Sequence, residues 1–270
     1  MTQLCRKAIA PLLANGFAAL KRREAHCGLL LSKGLASFPE GEKAGGIKAE
    51  HIRAVADLAV PAFYRAAFER WQQATADDKR FLGFSARLAG RLYIGVVRDN
   101  ALETGVSVSH TYGMPMIPGS AVKGLCRAGA GQWLENAEAR RWLFGNEADE
   151  RDASDEAAES GDDEDRAEIG GVLFHDAWWV PEEGMKPFAA EVVTVHHPAY
   201  YGSEGREEAT DFDSPVPAAQ IAVRGSFHFV IEGPPMWTRL ARRLLEEGLQ
   251  QYGIGGKRSS GYGHFAVGDA

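Results

Sequence analysis

The sequence predicts an α+β, ferredoxin-like fold: an antiparallel sheet with helices on one side, elaborated by an N-terminal helical extension and a disordered acidic insertion. Three observations carry this. Apolar residues alternate with a period of two and then recur at helical spacing in the order strand, helix, strands, helix, strand, the order of the split βαβ arrangement. At 270 residues the chain can bury about 75% of the surface its unfolded form exposes, so a core forms without staples. Twelve Asp or Glu against two Arg fall within 147–168, and a stretch so poor in apolar residues cannot offset its ordering entropy. No period of 20 to 50 residues recurs, which argues against a solenoid.

Residues 1–45 read as irregular helix and loop, ending in a glycine- and lysine-rich connection at 41–48 that the composition marks as mobile. From 50 to 73, Ile52, Val55, Ala59, Phe63, Ala67 and Trp71 recur at helical spacing, and Pro61 kinks or divides the helix. Residues 1–80 are therefore expected to form the extension and 81–270 the main domain. A strand is expected at 86–97, with Leu88, Leu92, Ile94 and Val96 on one face and Arg87, Arg91 and Tyr93 on the other. Pro118, Gly119 and Ser120 open a helix with a stripe of Val122, Leu125, Cys126, Gly129 and Trp133, followed by a helical piece at 136–144. Beyond the insertion come strands at 169–180, 188–195 and 219–231, a helix at 237–251 and a last strand at 261–267. Trp178 and Trp179 are adjacent, so they face opposite sides of their strand.

Composition narrows the setting. Cys5, Cys27 and Cys126 are odd in number and lack CxxC spacing, against a disulfide framework or zinc ribbon and in favour of a reducing cytoplasm. No apolar run reaches the roughly 20 residues that span a bilayer. Pro11, Asn15 and the cations at 21–23 spoil a signal peptide. The net charge of −7 is misleading, because outside 147–168 there are 28 basic and 25 acidic residues. The body is mildly basic, as a nucleic-acid partner requires.

Two segments carry candidate chemistry. Gly253, Gly255, Gly256, Gly261 and Gly263 surround Lys257, Arg258, Ser259, Ser260 and Tyr262. Glycines at this density let a backbone take positive φ and turn amide N–H groups toward phosphate oxygens. The loop runs from helix to strand, opposite to the P-loop and dinucleotide loops. A hairpin packed tightly on a sheet fits the same residues equally well. The second segment, 102–124, starts a helix with Ser120, Lys123 and Arg127 on one face, where free N–H groups, the positive dipole end and two cations would converge on a phosphate. A capped helix with solvated cations is the alternative.

Taken together, these segments resemble the RAMP superfamily of CRISPR proteins, and within it the sixth-subunit family of the type III-B Cmr effector complex. Four stretches between about 91 and 265 carry the resemblance: 102–124; 170–177; His196 to Tyr200 and Tyr201 with 211–217; and 253–265. The resemblance implies an RNA-recognition-type fold that grips guide (CRISPR) RNA and target RNA toward the guide's 3′ end in antiviral defence. It implies no cleavage by this subunit and hence no catalytic residues; no cofactor is expected. Its implied partners are other Cmr subunits: the repeated backbone subunit, the small helical subunit and the first subunit. Ser120, Lys123 and Gly124 match the loop-helix motif; Gly253, Gly255, Lys257, Gly261 and Gly263 match the glycine loop. Glu191, Val195, His197 and His264 depart from the pattern.

The full set of expected RNA contacts is Tyr112, Ser120, Lys123, Arg127, Gly253, Gly255, Gly256, Lys257, Arg258, Ser259, Gly261 and Tyr262. Tyr112, Tyr200, Tyr201 and Tyr262 offer rings on which an unpaired base could stack, worth roughly 1–3 kcal/mol each. Two other classes stay open. A metal-independent endoribonuclease processing guide precursors would use His110 or His264, and His175-Asp176 is a suggestive pair. A scaffold with little RNA contact fits the acidic total. The histidines show no metal-ligand spacing.

Overall fold

The computed structural model describes residues 26–35, 37–41, 43–95, 102, 104–145, 169–197, 200, 202–203, 205–210 and 213–266. The expected acidic insertion and the first 25 residues lie outside them, as does Tyr201. The chain is a mixture of helices and antiparallel sheet that groups into two compact units, each drawn from several stretches: 1–66, 91–115 and 181–225 in one, and 67–90, 116–180 and 226–270 in the other. The N-terminal helices thus share a unit with later parts of the chain, and no single boundary near residue 80 separates them.

In the first unit, α1 (Cys27–Lys33) is capped by His26, whose Nδ1 accepts from Leu29 N at 3.1 Å. Helix α2 (Ala44–Ala56) begins inside the expected mobile connection. Burial of His51, Ile52, Val55 and Ala56 outweighs the low propensity of Gly45 and Gly46. Pro61 divides the expected 50–73 helix, and α3 (Ala62–Ala74) follows it. Two strands named in chain order below, β5 (Phe188–Val195) and β6 (Val216–Val223), pair antiparallel from Phe188↔Val223 to Val195↔Val216. Thr104 Oγ1 accepts from Ile221 N at 3.1 Å, a buried side-chain anchor for this ribbon.

The second unit holds a six-stranded sheet in the order β2-β4-β7-β1-β8, with β3 also pairing β7. Its strands are β1 (Phe81–Leu88), β2 (Met116–Ile117), β3 (Leu173–Phe174), β4 (Ala177–Trp179), β7 (Ser226–Glu232) and β8 (Phe265–Ala266). Helices α4 (Gly119–Trp133), α5 (Ala137–Phe144) and α6 (Pro235–Gln251) complete it. On one face Phe84 stacks on Phe229 with centroids 5.2 Å apart, and Phe265 meets Phe229 edge-on at 5.7 Å. Trp179 is fully buried. Helix α6 covers this face, burying Leu244, Leu245 and Leu249 and setting the Arg242 guanidinium 5.1 Å over the Phe84 ring.

The other face is not bare, which corrects the expectation of helices on one side alone. From α3, Trp71 stacks on Trp178 at 5.8 Å and Phe68 meets His228 edge-on at 5.9 Å. Trp178 and Trp179 do face opposite ways. Trp178 supplies an apolar surface on the second face, and the aromatic stripe of α3 is what buries it.

Several strands end where a local demand overrides the alternation. The strand expected at 86–97 starts at Phe81 and stops at Leu88, because Ala89 N donates to His264 O at 2.9 Å while Leu92 pairs with Val223. The run 219–231 divides at Arg224 and Gly225, where Gly225 has φ 101; its first part pairs β5 and its second pairs β1. The strand at 169–180 breaks at His175 and Asp176, whose side chains serve other partners described below. The last strand shortens to β8 because Gly261 and Gly263 take positive φ.

Burial holds the His51 and His228 imidazoles below their usual titration range, and a carbonyl contact at His51 opposes the effect. In the unfolded chain both bind protons near the ordinary imidazole value of 6.5. Unfolding therefore takes up protons as pH falls through that value, and stability present at pH 7 and above is lost below it. The melting temperature should fall between pH 7.5 and 5.5, and His228→Gln should flatten that dependence.

Candidate nucleic-acid interface

The glycine loop is a closed, outward-facing structure. Ile254 N donates to Gly263 O at 2.9 Å, so the two ends of the loop lie against each other. A side chain at Gly263 (φ 77) would overlap Ile254 O, and one at Gly253 (φ 65) would sit 2.9 Å from Gly263 O. Glycine is required at both positions by space and by backbone angle alike. His264 fastens the loop further: Nδ1 lies 3.0 Å from Gln250 O at the end of α6, and Nε2 lies 3.3 Å from Arg258 O.

Between these locked ends the chain turns outward. Lys257 (φ 57, ψ 32) is left-handed and leads into a 3₁₀ turn at Arg258–Ser260, closed by Gly261 at φ 84. Among the described residues it is the one non-glycine with positive φ. A left-handed residue followed by right-handed ones turns successive N–H groups to one side, the concave nest that binds anions. Ser260 N and Gly261 N bond back to Lys257 O and Arg258 O, whereas the amides of Arg258 and Ser259 find no protein acceptor among the described residues. Lys257, Arg258, Ser259, Ser260 and Gly261 are all exposed, while Gly256 and Tyr262 are half-buried. No described carboxylate pairs with Lys257 or Arg258.

The 102–124 segment behaves differently. Helix α4 forms as expected, with Ser120 exposed and Lys123 and Arg127 half-buried. Its N-terminus is served from within, because Gly119 N donates to Asp176 Oδ1 at 2.7 Å. The amides of Ala121 and Val122 already bond to Pro118 O. A carboxylate at the positive end of the helix takes the place expected for a phosphate. The opposite end of α4 meets the glycine loop: Trp133 stacks on Tyr252 at 5.5 Å, and Tyr252 donates to Gln132. Ser120 lies about 20 Å from that end along the helix axis. Arg127, nearer the middle, is closer to the loop than Ser120.

Tyr112 belongs to the first unit, where its ring packs 6.1 Å from Phe63 and 5.7 Å from Tyr64. Burial, with the neighbouring Tyr112 second, pushes the Tyr64 phenol upward. His175 and Asp176 do not form a dyad. His175 Nε2 donates to Glu232 Oε2 at 2.8 Å, and Arg80 Nε donates to Glu232 Oε1 at 2.7 Å. Burial would raise the Glu232 carboxyl, but these two donors outweigh it and hold it below the usual carboxylate range. His197, a departure from the family pattern, donates through Nδ1 to Asp213 Oδ2 at 2.8 Å. The roles of Asp176 as a cap and His264 as a fastening are not visible in the sequence, since each partner lies far along the chain or on the backbone.

A family model described as the RAMP superfamily matches residues 86–266. The chain belongs to the RAMP superfamily. The matched residues begin inside β1 and end with β8, so they take in the last part of β1 and every other strand of the second unit's sheet. Among solved structures the chain is similar to one in a cryo-EM structure of the type III-B Cmr-beta bound to cognate target RNA. The TM-score is 0.64 at 20% identity, over 84% of this chain and 73% of that one. It is also similar to the crystal structure of Cmr6 from Pyrococcus furiosus, with TM-score 0.39 and 21% identity over 70% of this chain and 98% of that one. A comparison with curated proteins gives no match. The first likeness shows that this RAMP protein shares the fold of that chain. No described helix is long and apolar enough to cross a membrane.

Lys257→Gly should relieve the left-handed backbone and stabilise the protein by about 1 kcal/mol, measured by urea unfolding. Asp176→Ala should cost about 1 kcal/mol through loss of the α4 cap.

Proposed function

We propose that this RAMP protein is the sixth subunit of a type III-B CRISPR RNA-guided effector complex, built on a ferredoxin-like, RNA-recognition-type core. It holds guide RNA and target near the guide's 3′ end and does not cut either. The observation that carries this reading is the glycine loop, whose fixed ends present an outward nest of amides beside two exposed cations. Such a surface suits a sugar-phosphate backbone and reads no base edge, so sequence specificity comes from guide pairing. The fold shared with a chain of the Cmr-beta structure supports the reading. The repeated backbone subunit, the small helical subunit and the first subunit are its partners in this reading, and the cytoplasm its location.

Lys257 and Arg258 each neutralise one phosphate, Arg127 adds to them, and Tyr262 is the stacking ring nearest the loop. His264 serves structure instead of proton transfer, since each of its ring nitrogens faces a backbone carbonyl. The test incubates the purified protein with labelled guide-like RNA, with and without EDTA, and scores retention and cleavage together. Intact, retained RNA in both conditions is expected. Affinity should fall with salt at a slope near −0.7 per phosphate contacted, and a Lys257→Glu, Arg258→Glu double variant should reduce slope and affinity together. Cleavage that survives EDTA and is lost in His110→Ala or His264→Ala would overturn the non-catalytic reading. Absence of retention at low salt would leave a scaffold.

A further inference from the structure

The ribbon of β5 and β6 has two long edges, and they are finished differently. Val223 exchanges both of its backbone bonds with Leu92, at 2.9 Å each way, so its N–H and C=O point away from β5. In an antiparallel ladder every second residue points the same way. Ile221 therefore faces outward too, and its N–H is the one that donates to Thr104 Oγ1. Pro217 shares this side of β6 and has no N–H to present. The β6 edge is thus paired at Val223, anchored at Ile221 and blocked at Pro217.

The register carries the same alternation to β5. Phe188, Ala190, Val192 and Thr194 stand opposite Val223, Ile221, Ala219 and Pro217, so they too turn their N–H and C=O outward, on the far side of the ribbon. Among the described residues no strand lies beyond β5, and none gives these four a backbone partner on that side. Ala190 and Thr194 are exposed, and Val192 is 60% exposed. Sheet edges are ordinarily blunted by lysine, proline or a bulge. From Phe188 to Val195 the strand has none of these, and its one charge, Glu191, is engaged by Arg91 Nε at 3.1 Å.

The chemistry of this edge identifies what fits it. Donors and acceptors alternate at strand spacing beside small and β-branched side chains, which matches a second extended polypeptide. A nucleic acid does not match, because its phosphates offer acceptors alone. Charge narrows the choice further. Two-fold pairing of β5 with the β5 of a second copy would, in its two longest registers, set Glu191 opposite its twin or on the diagonal to it, where like charges oppose pairing.

We propose that the outer edge of β5 docks an extended strand of a different protein. That strand joins the ribbon through the backbone of Phe188, Ala190, Val192 and Thr194 and brings a neutral or cationic side chain beside Glu191. This edge and the glycine loop belong to different units, so the docking site and the RNA-holding reading are tested separately.

The test titrates the isotope-labelled full chain with a synthetic peptide of alternating valine and threonine carrying one central lysine, and follows the backbone amides by NMR. Saturating shifts at Ala190, Val192 and Thr194 are expected. Val192→Pro removes an outward N–H and no bond to β6, so it should melt near the parent while binding the peptide about tenfold more weakly, the equivalent of one hydrogen bond. Val193→Pro, whose N–H points at β6, should melt lower. A peptide N-methylated at every amide should not bind, a control that needs no variant to fold. The proposal is overturned if the β5 amides do not move, or if the methylated peptide binds as well as the plain one. It is equally overturned if sedimentation shows the chain to be a dimer that Val192→Pro dissolves, since the occupant is then a second copy, or if oligouridylate moves the β5 amides in place of the peptide. Unchanged retention of RNA by Val192→Pro leaves the loop reading intact in every case.

Discussion

The close approach of Ile254 and Gly263 is the constraint on which the rest of the candidate surface depends. One backbone hydrogen bond joins the two ends of the loop, and it can form only because neither Gly253 nor Gly263 carries a Cβ. With the ends joined, the intervening residues have nowhere to go but outward, and Lys257 is driven into a left-handed conformation that costs a lysine about 1–2 kcal/mol. A protein under pressure for stability alone would place glycine there. Keeping a cation at a strained, exposed position is the pattern of a site whose geometry serves a ligand.

The sheet supports this loop from both directions. The C-terminal end of α6 supplies the carbonyl that holds His264, and Ala89, the residue after β1, supplies the amide that holds its backbone. The aromatic layer of Phe84, Phe229 and Phe265 fixes β8 against β1, so the loop is carried on a packed element at each end. Preorganisation of this kind lowers the entropy lost when a flexible nucleic acid is captured.

Much of the architecture was readable from periodicity. The helices around Val122 to Trp133 and Leu240 to Leu249, the division at Pro61 and the full extent of β5 follow from apolar spacing and proline chemistry. What the pattern could not show was which partner each run would find. The apolar stretch 219–231 looks like one strand, yet Gly225 turns it so that its halves join different sheets. Covering of the second face by Phe68 and Trp71 was hidden for the same reason, since an amphipathic helix does not reveal what it packs on. At the site, the glycines and cations of the loop were evident. The capping of α4 by Asp176 was not, because a bond across 57 residues leaves no local signal.

The placement of negative charge completes the account. A net charge of −7 would repel RNA if evenly spread, but twelve acids are confined to 147–168, and the residues around the glycine loop are cationic or hydroxylated. The most direct measurement of the central claim is photo-crosslinking of the protein to 4-thiouridine-substituted single-stranded RNA, with the attachment points mapped by mass spectrometry. Adducts concentrated on the peptide spanning Tyr252 to Phe265 are the predicted result. Efficient crosslinking that spares this peptide and falls on β5 and β6 would contradict it.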